Sequence, residues 1–139
     1  VLPFISWNLL ENSILNIIPF EKIGSNEFER LTFSADEIGN LKQRKLLNNY
    51  ANLENFRKEY PEKAILHFAT HAIIDENQPL KSFIAFYPNT TENKLYLPEI
   101  YNLSLQNTSL VFLSACNTSN GKVINGEGIL SISRAFQIA

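Results

Sequence analysis

The sequence predicts an α/β domain built on a parallel sheet, and three observations predict it. Two apolar runs, Ala64-Ile65-Leu66 through Ala72 and Leu110-Val111-Phe112-Leu113, lack the polar alternation of a strand with one wet face. They fit strands covered on both sides. Before and after them lie helical spacings: Leu53, Phe56 and Tyr60, then Ile129, Ile132, Phe136 and Ala139. Both runs also break into polar residues at their carboxyl ends, where parallel sheets hold their ligands.

The elements follow in chain order. Ser13 to Phe20 holds Ile14, Leu15, Ile17 and Ile18 closed by Pro19, a first strand, and the polar stretch Glu21 to Arg30 reads as loop. Ser34 and Glu37 have the spacing of a capping box, so a helix is expected from Ala35 to about Arg44 with Ile38 and Leu41 inward. Leu46 and Leu47 suit a short strand. Asn52 is the expected N-cap of the next helix, which Pro61 stops. After the strand leading to His71, Lys81 to Phe86 and Lys94 to Leu97 flank a turn-rich segment and read as a hairpin. Pro98 suits the first position of a short helix through Leu103. The strand ending at Cys116 comes next, then a flexible loop over Gly121 to Gly128 and a final helix.

Composition narrows the function. At 139 residues, with 45% hydrophobic and 19% charged side chains, the chain suits one globular domain. Its net charge of −2, with basic residues scattered, offers no footprint for nucleic acid or an anionic membrane surface. No stretch approaches the roughly 20 apolar residues of a membrane span. One cysteine cannot form an intrachain disulfide, which points to a reducing, cytoplasmic setting. The chain has no methionine and stops within a helical pattern, so it reads as a fragment of a longer protein.

Chemistry concentrates at two strand ends. Cys116 is the only cysteine, and both histidines, His67 and His71, lie in the earlier apolar run. If the two strands are parallel neighbours, His71 and Cys116 reach the same edge of the sheet. A thiol is a strong nucleophile as thiolate, and a nearby imidazole can generate it near neutral pH. His67, inside its run, reads as a satisfied core or supporting histidine. A zinc site from His67, His71 and Cys116 is disfavoured, because residues four apart on a strand stand about 13 Å from each other. Ser114 lacks a G-x-S-x-G elbow, and the glycines from Gly121 to Gly128 match neither a P-loop nor a dinucleotide fingerprint.

Leu66-His67-Phe68-Ala69-Thr70-His71 resembles the histidine motif of the CHAT domain, a caspase-like and separase-like family of cysteine peptidases often preceded by tetratricopeptide repeats. Leu113-Ser114-Ala115-Cys116-Asn117-Thr118 with Gly121 resembles its cysteine motif. Gly126-Glu127-Gly128 and Ser133-Arg134-Ala135-Phe136 are similar to the following helix, and Ser34 to Leu41, Ala51-Asn52 and Pro79 to Ile84 fit the family's spacing. The resemblance is strongest over residues 31–139, and it makes 1–139 a partial CHAT domain whose family normally continues further.

The resemblance implies a caspase-like sandwich, a mainly parallel sheet with helices on both faces. It implies His71 and Cys116 as catalytic dyad, with the backbone N–H groups of Cys116 and Ala72 holding the oxyanion. Many relatives have glycine where this chain has Ala72, a change that preserves the amide unless a positive φ is required. The expected activity is hydrolysis of peptide bonds in a polypeptide substrate, with no cofactor or metal. A regulatory partner or an upstream repeat domain is the expected controller. The rival expectation is a catalytically silent, caspase-like interaction module.

Overall fold

The computed structural model describes residues 12–32, 43–89, 92–116 and 127–139. Its strands are β1 (Ile14–Ile18), β2 (Arg44–Leu47), β3 (Ile65–Ile73), β4 (Phe83–Ala85), β5 (Lys94–Tyr96) and β6 (Leu110–Cys116). Its helices are α1 (Leu53–Glu59), α2 (Leu97–Tyr101) and α3 (Glu127–Ile138). No helix among the described residues is long and apolar enough to cross a membrane.

The six strands form one mixed sheet. β2, β1, β3 and β6 are parallel, with β1 and β6 flanking β3 on opposite sides because both pair with Ile65 to Phe68. Past that shared stretch, Ala72 and Ile73 pair antiparallel with Ile84 and Phe83, and β4 in turn pairs with β5 as the expected hairpin. The buried hydroxyl of Thr70 donates to the Ala85 carbonyl at 2.7 Å, which fastens β3 to the end of β4.

Side-chain alternation along β3 sends its two faces to different environments. Leu66 and Phe68 join Leu15 and Ile17 of β1 and the buried residues of all three helices in one apolar core. Phe68 is its centre, touching Phe56 of α1, Phe86 after β4 and Phe136 of α3 with ring centroids 5.5–6.3 Å apart. Burying each of these rings contributes about 1.5–3 kcal/mol. The described helices therefore cover one face of the sheet. The other face carries Asn16, His67, Ala69 and His71.

Local signals explain the helix ends. Asn52 caps α1 as expected, its Oδ1 accepting from the Asn55 N–H at 2.9 Å, and Pro61 lies in the 3-10 turn after it. The Glu99 carboxylate accepts from the Tyr96 N–H at the start of α2. That helix runs from Leu97 to Tyr101, starting one residue earlier and ending two sooner than Pro98 to Leu103.

Two other expectations need correcting. Of the helix expected from Ala35 to about Arg44, residues 35–42 lie outside the described ones, and Arg44 opens β2 instead. There its guanidinium makes two hydrogen bonds to Glu59, at 2.7 and 3.1 Å, which hold it above its usual pKa. Of the loop expected over Gly121 to Gly128, residues 121–126 lie outside the described ones, whereas Gly128 belongs to α3.

Candidate active site

The β3–β6 ladder runs without a break from Ile65↔Leu110 to His71↔Cys116. Seven consecutive parallel pairs fix the register, and a slip of one residue would move every apolar side chain of β3 to the wrong face. His71 and Cys116 are thus backbone neighbours at the spacing of adjacent strands, about 4.8 Å. They form the last pair of the ladder. Residues 117–120, which complete the cysteine motif, lie outside the described ones.

The loop after β1 encloses His71. The ring is 1% exposed, and its Nε2 lies 2.8 Å from the Glu29 carbonyl. A carbonyl only accepts, so Nε2 carries a proton and donates it to Glu29. Phe20 packs at 5.3 Å with its plane tilted by 58°, and Phe28 stacks at 5.5 Å and 25°. The N–H of Leu31 donates to the Phe20 carbonyl at 2.8 Å, closing the loop that carries these groups. Glu29 and the two rings were not singled out in the sequence. Two phenylalanines bracketing a polar loop with one glycine were the available signal.

His67 has a different setting. Its Nδ1 lies 3.1 Å from Asn16 Oδ1, while Asn16 Nδ2 donates to Gln43 Oε1 and to the Arg44 carbonyl, each at 3.1 Å. Two acceptors on the amide nitrogen settle its orientation, so the amide oxygen accepts and His67 Nδ1 is protonated. Phe112, the register partner of His67, meets the ring edge-on. His67 thus ties β3 to β1 from within the sheet, the supporting place expected of it.

Ala72 follows His71 in β3 and is 3% exposed, paired with Ile84. Among the described residues the only non-glycine with positive φ is Asn48, so alanine at position 72 carries no left-handed strain. Its backbone is one that any L-residue can adopt. Ser114 pairs with Ala69, two positions before the ladder's end.

Adjacent parallel strands thus bring a histidine and the chain's only cysteine to one end of the ladder, with the imidazole held by a backbone carbonyl. No curated protein matches the chain. The family model for the CHAT domain, a cysteine-peptidase-like family of hydrolase kind, matches residues 18–139, which include every strand but the first four residues of β1. The chain belongs to the CHAT domain family.

Proposed function

We propose that this chain is a partial CHAT domain over residues 1–139 that hydrolyses peptide bonds through His71 and Cys116. The observation that carries the reading is their pairing at the end of the β3–β6 ladder. His71 Nδ1 takes the thiol proton as Cys116 sulfur attacks the substrate carbonyl, whose π electrons move to oxygen. The tetrahedral oxyanion is held by the backbone N–H groups of Cys116 and Ala72, a donor of this sort being worth about 3–4 kcal/mol in well-studied hydrolases. Its collapse breaks the C–N bond, and the imidazolium protonates the departing amine. Water then attacks the thioester, giving its proton to His71, and the Cys116 thiolate leaves.

The Glu29 carbonyl supports the base in both states, since Nε2–H donates to it before and after Nδ1 is protonated. A caspase-like sandwich with helices on both faces is the architecture of this reading. The substrate is a polypeptide, the setting cytoplasmic, and control comes from a regulatory partner or an upstream repeat domain. Cleavage of a diverse peptide library by the full-length parent protein tests it, with Cys116→Ala and His71→Ala beside wild type. Loss of cleavage in both variants upholds the dyad. A folded wild-type protein that cleaves nothing, with or without candidate upstream partners, would give the reading over to a silent interaction module.

A further inference from the structure

We infer that Phe28, presented by the turn from Gly24 to Glu29, is a positioning residue that fixes the ring plane and tautomer of His71. The inference deepens the peptidase reading and rests on it for its kinetic consequence alone. The hydrogen bond to Glu29 does not by itself hold the imidazole in place, because the ring can tilt away from the carbonyl. The Phe28 stack removes that freedom. The Glu29 carbonyl selects Nε2 for the proton only while the ring faces it, and the stacked Phe28 keeps it facing, so plane and tautomer are held together.

The turn is built to present both groups. Ser25 Oγ accepts from the N–H groups of Phe28 and Glu27 at 3.0 and 3.3 Å, and the Ser25 N–H donates to the Phe28 carbonyl at 2.7 Å. A side chain at Gly24 would place its Cβ 2.7 Å from the Phe28 carbonyl oxygen and 2.9 Å from the Arg30 nitrogen. Both are backbone atoms flanking Glu29. Any residue but glycine must therefore displace the segment carrying the acceptor for His71.

Outside contacts hold the turn against the hairpin. Phe28 is 6% exposed and meets Phe83 of β4 edge-on at 6.1 Å. Glu27 pairs with Lys94 of β5 at 2.9 Å, and the same ammonium lies 5.0 Å from the Phe83 ring centroid. Phe28 is thus packed between the histidine and the hairpin, and these contacts stabilise its ring where His71 needs it.

The test is nitrogen NMR of the full chain labelled with ¹⁵N-histidine, near pH 8.5, roughly two units above the ordinary imidazole pKa. With two histidines in the chain, His67→Gln assigns the spectrum. Wild type is expected to show His71 as one tautomer, Nε2 protonated and Nδ1 not. Phe28→Leu, which keeps an apolar side chain without the ring, and Gly24→Ala are expected to average the two nitrogens while the amide spectrum stays folded. In the parent protein both should lower kcat about 10- to 100-fold with KM changed less than about 3-fold, since misplacing a catalytic group by 1 Å costs this much.

A folded Phe28→Leu variant with a single Nε2–H tautomer would overturn the inference. If that variant does not fold, Gly24→Ala decides in the same way. Averaged nitrogens in a parent protein that cleaves nothing would leave the positioning intact and remove the peptidase reading.

Discussion

The imidazole of His71 donates through Nε2 to the carbonyl of Glu29 at 2.8 Å, across 42 residues of chain. The same residue pairs through its backbone with Cys116. One residue therefore joins the loop after β1, through its side chain, to the tip of β6, through its backbone, and its geometry depends on two elements that β3 alone cannot place.

The polar network on the histidine face should be costly to break. Asn16 is 1% exposed and serves Gln43, Arg44 and His67 at once. Asn16→Ala leaves the Arg44 carbonyl and the His67 Nδ1–H without that partner, and a stability loss of about 1–3 kcal/mol is expected. Urea unfolding of the two chains measures it, and an unchanged midpoint would show that water replaces the amide without cost.

The opposite face depends on Phe68, which has no exposed surface and contacts three other rings. Phe68→Ala empties the point where α1, α3 and the segment after β4 converge. A loss of about 3–5 kcal/mol follows from transfer and cavity terms together. Thermal and urea denaturation should agree on it, and a loss near 1 kcal/mol would mean that the helices close over the gap.

Surface charge should matter little. Lys58 lies 2.9 Å from Glu54 one turn away on α1, and its ammonium holds the Glu54 carboxyl below its ordinary pKa. A carboxyl whose folded value is lowered adds stability above its unfolded value, about 4.3, and loses it as pH falls through the folded value. Both groups are well exposed, so the contribution is small and screened by salt. The melting temperatures of wild type and Lys58→Gln should differ slightly at pH 7 and converge in acid or in high salt. A difference that grows in acid would reverse the sign assigned to this pair.

Much of this was legible in the sequence for a plain reason: continuous apolar runs mark buried strands. Leu110 to Leu113 and Ile65 to Ala72 announced β6 and β3, and their shared polar endings meant that His71 and Cys116 would meet if the two strands were parallel neighbours, as they are. Asn52 and Pro61 marked the start of α1 and the turn that follows it through local chemistry.

What stayed hidden depends on long-range partners. Glu29 acts through a carbonyl that every residue possesses, so no residue type betrays it. Asn16 stood in plain view as a polar residue within Ile14-Leu15-Asn16-Ile17-Ile18, and its burial demanded a partner that the sequence did not name. The end of the helix expected before Leu46 was misjudged at Arg44, whose pairing with Leu15 and with Glu59 is tertiary.

The most direct test of the account is the rate at which iodoacetamide alkylates Cys116, the chain's only cysteine, near neutral pH. If His71 serves as its base, His71→Ala should slow the reaction at least about 10-fold, as loss of a positioned base does, while His67→Gln leaves it within about 2-fold. Equal rates in wild type and His71→Ala would contradict the pairing of this base with this nucleophile.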